Sequence, residues 1–167
     1  MPIPCYLTIK GKTQGLISAG ALSEDSVGAA WKRGHEDQIL VQSFEHGIAV
    51  PGGAGSGHRM HKPLIILKDI DKSSPLINAA LCDGEVLTLC RLEFFRAAAT
   101  GEVHFYTMEL KNAVIIGADA YMHDCRDPKF AHSNPMEKVR FSYQEITWKH
   151  ETGRTIASDE WRSGAQA

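Results

Sequence analysis

Alternation of apolar and polar residues runs through much of the chain and predicts a protein built mainly from β-strands. Residues 5–10 alternate with the period of two that a half-buried strand requires. The same period recurs at 86–95 and 103–110, and 38–50 has strand composition. We therefore expect long strands at 38–50 and 86–95, and a strand at 103–110 that residues 113–116 prolong or pair with.

The apolar face of the chain changes parity near the C-terminus. Apolar residues occupy odd positions from Val139 to Tyr143 and even positions at Ile146 and Trp148. One extra residue in a strand shifts the side-chain alternation to the other face. The pattern predicts a β-bulge around residues 144–145.

The segments between these strands carry turn signals. Residues 11–28 are rich in glycine and serine and predict a loop or hairpin. Thr152 and Gly153 predict a turn into a last strand that includes residues 155–156, and residues 163–167 predict a frayed tail.

One short helix is predicted directly after a strand at 64–67, where charged residues interrupt the apolar run. Ser73 or Ser74 offers a hydroxyl oxygen to an unpaired backbone N–H, and Pro75 already has helical φ. Gly84 is suited to a left-handed C-terminal cap.

The predicted helix presents one apolar face, to which Leu76, Ile77, Ala80 and Leu81 contribute. Such a face favours a scaffold role over a catalytic one. The scaffold is assigned to Ser73, Ser74, Pro75, Leu76 and Leu81.

Together these elements predict a mainly β fold, a small antiparallel β-barrel or two-sheet fold with one side helix. The 167 residues, 43% of them hydrophobic, contain neither internal repeats nor a long linker. We therefore expect a single domain over residues 1–167.

Charge and cysteine content narrow the possible partners and the compartment. A formal net charge of −2, with cations scattered among acids, argues against nucleic acid or membrane insertion. The N-terminus lacks the features of a signal peptide, which predicts a protein made in the cytoplasm. The four cysteines include no C-x-x-C pair, which favours reduced thiols.

Glycine spacing argues against a nucleotide site in the stretch PGGAGSGH, residues 51–58. A phosphate-binding loop requires four residues between its glycines and then Lys-Ser or Lys-Thr, and a dinucleotide fingerprint requires G-x-G-x-x-G between a strand and a helix. The stretch therefore favours a flexible loop, and His58 and His61 are expected to be solvated.

Histidine content leaves a metal site as an open alternative in MHDCRDPKFAH, residues 122–132. His123, Cys125 and His132 supply ligand types for zinc, and Asp127 completes a possible set of four. A polar loop of ordinary composition explains the same residues. No G-x-S-x-G elbow or H-E-x-x-H helix occurs, so neither an enzyme nor a cofactor is expected.

Five segments, in this order, resemble the Hcp family, the tube protein of bacterial type VI secretion. They cover nearly the whole chain and are IKGKTQG, HEDQILVQSFEHGIAVP, HKPLIILKDIDKSSPLINAALCDGE, VHFYTMELKNAVI and EKVRFSYQEITWKH. The most specific parts are DKSSPL with its helix, the aromatic-x-x-Gly of residues 44–47, and the pattern that ends at Trp148.

The resemblance implies a structural protein and not an enzyme. It implies a β-barrel with a side helix whose copies close into six-membered rings, and rings that stack into a hollow tube exported without a signal peptide. It also implies sheath and spike proteins as partners and effector proteins as cargo in the lumen.

Two groups of residues take roles from this resemblance. If Phe44 is buried in the barrel wall, Ser43 and Glu45 point the other way, and the family places this strand at the lumen. The glycine-rich segment corresponds to a loop that reaches the adjacent ring. Its ring-stacking residues are Pro51, Gly52, Gly53, Gly55, Gly57, His58, Arg59 and His61.

Two other classes of function compete with this interpretation. One is a monomeric β-barrel module that binds a small ligand, and the other is a hydrolase that uses the histidine-rich loop. A six-fold mass in solution distinguishes the ring from the module, and metal analysis tests the hydrolase.

Overall fold

The computed structural model describes residues 4–53 and 57–161, which form a mainly β half-barrel. Gly55 of the predicted stacking loop and the predicted tail at 163–167 lie outside the described residues. The strands are β1 Cys5–Gly11, β2 Gly15–Leu16, β3 Ile39–Val41, β4 Ser43–Glu45, β5 Ile48–Ala49, β6 Met60–His61, β7 Leu64–Asp69, β8 Val86–Ala98, β9 Gly101–Lys111, β10 Ala113–Tyr121, β11 Met136–Ser142, β12 Glu145–His150 and β13 Thr155–Glu160. The helices are α1 Glu24–Val27 and α2 Ser74–Asp83, with 3₁₀ turns at Gly28–Ala30 and Pro128–Phe130.

Antiparallel pairing joins eleven of the strands into one curled sheet. Its main path runs β13-β12-β9-β8-β10-β11-β7-β4, and β1 also pairs with β8, β2 and β3. The path has two arms, β13 to β8 and β10 to β4. Apolar residues from both arms form one buried cluster, so the core lies within the curl. The predicted β-rich fold class is confirmed, and α1 adds a one-turn helix to the predicted side helix.

The sheet bends at Asn112, between β9 and β10. Both strands continue along the same edge of β8, with Cys90 opposite Leu110 and Leu87 opposite Ala113. Asn112 has φ 48°, a left-handed conformation that asparagine tolerates well. Beyond the bend, β10 leaves β8 and pairs with β11, which forms the second arm.

The prediction of one long strand at 38–50 is wrong, because the chain changes partners twice within it. Val41 in β3 lies opposite Cys5, and the N–H of Gln42 donates to Leu67 O at 2.8 Å. β4 then pairs with β7, whereas β5 pairs only with β6 in a separate ribbon. This segment therefore joins the two arms of the curl.

The predicted β-bulge at 144–145 is also wrong, because a strand ends there and another begins. β11 pairs with β10 and β7, whereas β12 pairs with β9 and β13. Tyr143 and Ile146 are both buried although their parity differs. The change of parity thus marks a move from one arm of the sheet to the other.

The start of α2 differs from the predicted serine cap. Ser73 occupies the N-cap position, but its hydroxyl donates to Asp71 Oδ1 at 2.5 Å and caps no helical N–H. Ser74 Oγ accepts from the N–H of Asp71 and donates to Glu137 Oε1 at 2.7 Å. The two serines therefore tie the helix to the preceding turn and to β11. Pro75 lies in the first turn, as expected.

The buried face of α2 is also narrower than predicted. Ile77 and Ala80 are fully buried and Leu81 packs against the core, but Leu76 is 38% exposed. The C-terminal prediction is confirmed, since Gly84 has φ 62° and its N–H donates to the last turn. The helix packs against β10 and flanks the half-barrel.

The four cysteines are free. Burial raises the pKa of the Cys5 thiol to about 12 and raises the pKa of Cys90 as well, so both stay protonated near neutral pH. Within the described ranges, neither helix is long and apolar enough to cross a bilayer.

Candidate assembly surfaces

The described residues of the glycine-rich segment lie in a small hairpin that continues from β4 and β7 but does not pair with the main sheet. Ile48 pairs with His61 and Ala49 with Met60, and the N–H of Lys62 donates to Gly47 O at 2.9 Å. Gly52 and Gly53 have φ of 79° and 87°, which favours glycine at both positions. We call β5, β6 and the described residues between them, 50–53 and 57–59, the stacking hairpin.

The stacking hairpin exposes apolar side chains on both of its faces, because Met60 lies opposite Ala49 and not opposite Ile48. Ile48, Val50 and Met60 are each between 44% and 54% exposed. Pro51, Gly57 and His58 are exposed as well, so the predicted solvation of His58 is confirmed. An apolar surface on a projecting hairpin is typical of a contact with another protein.

His61, at the base of the stacking hairpin, is buried, and the prediction that it is solvated is wrong. Its Nε2 lies 2.7 Å from Asp159 Oδ2 and its Nδ1 lies 2.7 Å from the Tyr143 hydroxyl. Its ring stacks on Trp161 with 5.2 Å between centroids and 11° between planes. These partners are about eighty to a hundred positions away, and no local pattern reveals them.

Asp159 receives a second donor from the hairpin. Arg59 Nε donates to the same Oδ2 at 2.6 Å, and Arg59 Nη2 donates to the carbonyl of Glu160 at 3.0 Å. The hydrogen bonds from Arg59 and then from His61 lower the pKa of Asp159. The carboxylate is therefore ionised at neutral pH and anchors both side chains.

The hydrogen bonds continue from His61 through Tyr143 to His46, whose Nε2 lies 2.6 Å from the hydroxyl. With neutral His61, Tyr143 donates to His61 Nδ1 and accepts from His46 Nε2–H. With charged His61 the direction reverses, and the hydroxyl then donates to His46. Burial, and after it the nearby His61, lowers the pKa of His46.

Strand β4 is a terminal strand of the main path and carries the predicted lumen residues. Ser43 and Glu45 are exposed, as predicted. Phe44 is not buried in the wall: it is 43% exposed and packs edge-on against Phe94 at 5.0 Å. The side chains on both faces of β4 are thus exposed to solvent in the isolated chain, although Phe44 contacts Phe94.

Strand β13 is the other terminal strand of the path. It pairs with β12 over Thr155–Glu160, and Ile156 is 69% exposed. Among the described residues, β4 and β13 each pair with a single neighbour, as β2 and β3 do, so each leaves a sheet edge. Uncovered edges favour pairing with another chain.

A buried ion cluster lies at the far end of β7 from the stacking hairpin. Lys68 Nζ lies 2.5 Å from Glu137 Oε1, 3.0 Å from Asp71 Oδ1 and 3.1 Å from Ser74 Oγ. The Lys68 side chain has no exposure, and those of Glu137 and Asp71 are 5% exposed or less. This cluster positions the start of α2, which supports a scaffold role for Ser73, Ser74 and Pro75.

The metal alternative at residues 122–132 finds no support in the geometry. The His123 ring stacks on Phe130 at 4.0 Å, Asp124 pairs with Arg126, and Asp127 accepts the N–H of Lys129. Over residues 4–53 and 57–161, no three His, Cys, Asp or Glu side chains converge as metal ligands would. The loop is held by its own local contacts.

Comparisons with known proteins agree with this arrangement. The family model described as "Type VI secretion system effector, Hcp" matches residues 6–150. The chain is 47% identical to the "Major exported protein" of Pseudomonas aeruginosa over 168 residues, which cover 98% of each protein. A crystal structure of an Hcp protein superposes with a TM-score of 0.92 at 38% identity, covering 98% of this chain and 100% of that one. The secreted protein Hcp3 from Pseudomonas aeruginosa gives a TM-score of 0.83 at 43% identity, with coverage of 97% and 100%.

Proposed function

Because the chain belongs to the Hcp family of type VI secretion proteins, we propose that it is the subunit of a hollow, exported tube. The observation that carries the proposal is the match over nearly the whole chain to an exported protein and to Hcp structures. The family is structural and not enzymatic. We therefore propose a role in assembly and not in catalysis.

Ring formation is proposed to use the two terminal strands. β4 and β13 lie at opposite ends of the main path, so one copy can place its β13 side against the β4 side of the next. A head-to-tail contact of this kind closes into a ring when its rotation permits. Six copies per ring is the number that the family resemblance implies. Closure also covers both edges, which otherwise promote uncontrolled pairing.

Ring stacking is proposed to use the stacking hairpin, with residues 51–53, 57–59 and 61. The hairpin lies outside the main sheet and exposes Ile48, Val50 and Met60. It contributes no strand to either terminal edge, so it is free to meet a second ring. Met60→Asp should leave rings intact and shorten tubes, since it places a charge in the apolar contact.

The lumen is proposed to be lined in part by Ser43 and Glu45 of β4, which are exposed. Effector proteins are the proposed cargo, and sheath and spike proteins are the proposed outer and tip partners. The subunit is proposed to be cytoplasmic before assembly and to leave through the apparatus without a signal peptide. Glu45→Arg should preserve rings and change cargo retention, because it reverses charge on the channel wall.

Light scattering after size-exclusion chromatography tests the ring. A particle of six times 18.4 kDa is expected for the wild-type chain, and negative-stain images should show a central hole. A persistent monomer at micromolar concentration would contradict the proposal and favour a ligand-binding module.

A further inference from the structure

We propose that Asp159 is a positioning residue, through which the last strand β13 sets the pose of the stacking hairpin. The inference rests on the proposed function, since the pose matters for docking onto a second ring. Arg59, His61 and Asp159 are called the latch below.

The backbone of the stacking hairpin supplies few cross-strand contacts of its own. Its ladder consists of two residue pairs, Ile48 with His61 and Ala49 with Met60, and it continues from β4 and β7, to which residues 46–47 and 62–63 join it. Two-stranded ribbons are marginal in water even when they are longer. Side-chain contacts at the base therefore strengthen the attachment of the hairpin to the half-barrel.

The latch supplies those contacts through one oxygen atom. Asp159 Oδ2 lies 2.6 Å from Arg59 Nε and 2.7 Å from His61 Nε2. Arg59 directly precedes β6 and His61 is its last residue. The carboxylate therefore binds two side chains on the same side of the hairpin loop. Hydrogen bonds to an ionised acceptor are the stronger class.

The two donors differ in how easily they can be released. The His61 side chain has no exposure and stacks on Trp161, whereas the Arg59 side chain is 48% exposed. His61 is thus the fixed contact, because its separation from Asp159 would leave the buried Nε2 without this partner. Arg59 is the outer contact, which water can replace at smaller cost.

The latch also links the strand proposed for ring closure to the hairpin proposed for ring stacking. Asp159 lies on β13, a terminal strand of the main path, and Ile156 on the same strand is 69% exposed. A neighbour that packs on β13 within a ring would hold the strand that carries Asp159. Lateral packing should therefore order the stacking hairpin before the next ring arrives.

Hydrogen exchange of peptides that cover residues 57–62 tests the latch directly. Asp159→Ala removes both contacts, Arg59→Gln removes only the outer one, and Asp119→Asn is the matched control. Asp119 makes a similar surface pair, with Arg140 at 2.6 Å, but on β10. Exchange of backbone amides reports local opening independently of global unfolding.

The latch predicts about tenfold faster exchange at 57–62 in Asp159→Ala, a smaller increase in Arg59→Gln, and wild-type exchange in Asp119→Asn. Both latch variants should still form rings but give shorter tubes.

Wild-type exchange at 57–62 in Arg59→Gln and in a folded Asp159→Ala would overturn the inference. If Asp159→Ala does not fold, Arg59→Gln alone decides. Absence of rings in the wild type would refute the proposed function, while exchange would still decide the latch.

Discussion

Two polar clusters lie at opposite ends of the β7–β11 pair, and they differ in which elements they join. Asp69 pairs with Met136 near the Lys68 cluster, and Leu64 pairs with Phe141 near the latch. The Lys68 cluster joins β7, β11 and the start of α2, all parts of the core. The latch joins a projecting hairpin to a terminal strand.

The difference in burial suggests a difference in role. In the Lys68 cluster the charged side chains are almost fully buried, so any opening exposes an unpaired charge to a dry interior. In the latch, Asp159 is 26% exposed and Arg59 48%, so water can substitute for one contact. The first cluster fixes the fold, and the second holds a surface that is proposed to meet another copy.

The largest expected effect is the loss of the buried carboxylate of Glu137. Glu137→Ala should lower the free energy of unfolding by about 3–5 kcal/mol, because Lys68 and Ser74 lose their shared partner. Urea denaturation at fixed protein concentration measures this change. The double variant Lys68→Met/Glu137→Leu is the comparison and should recover only part of the loss, because it removes the Lys68 charge but also takes the cation from Asp71. A loss below about 1 kcal/mol in Glu137→Ala would contradict a role in fixing the fold.

The helix that the Lys68 cluster anchors gives the next effect. Ile77→Ala should cost about 3 kcal/mol, because Ile77 is fully buried. Leu76→Ala, at a position that is 38% exposed, should cost less than about 1 kcal/mol. Thermal or urea midpoints of the two variants test this, and equal losses would show that the helix packs on a different face.

At the latch, removal of one hydroxyl should have a smaller effect. Tyr143→Phe leaves His46 and His61 without their shared partner and should cost about 1–3 kcal/mol. Exchange at residues 57–62 should rise in the same variant. Unchanged exchange together with lowered stability would separate the tyrosine from the pose of the hairpin.

The smallest effect is a dependence of stability on pH that comes from His46, near the latch. The pKa of His46 is lowered from 6.5 in the folded chain, so the unfolded chain binds more protons below that pH. Stability should fall as the pH drops below about 6.5 and level off once the pH is below the folded pKa. Urea midpoints from pH 7.5 to 5 should show a shallower fall in His46→Asn. The same slope in both proteins would show that His46 does not contribute.

The sequence patterns correctly predicted features that depend only on residues close together in the chain. Gly84 ends α2 in the left-handed conformation, and Cys90, Leu92 and Phe94 share the buried face of β8. The parity of β8 changes near Thr88, where the pairing with β1 shifts between Lys10 and Gly11. A bulge was predicted near residue 144 instead, because only the partner strand reveals which irregularity is a bulge.

The candidate surfaces were less predictable because they depend on distant residues. His61 was expected in solvent, yet its burial depends on Tyr143, Asp159 and Trp161. Phe44 was expected in the core, but β4 is a terminal strand, so its side chain stays partly exposed. Whether Phe44 becomes buried depends on a neighbouring copy.

Electron cryomicroscopy of the purified particle tests most directly whether the chain is a tube subunit built on these surfaces. The account predicts six copies around a hole, with Glu45 on the channel wall, β13 beside the β4 side of the next copy, and the stacking hairpin directed at the adjacent ring. A monomer, or a closed particle in which β4 faces outward and the stacking hairpin seals the lateral contact, would contradict it.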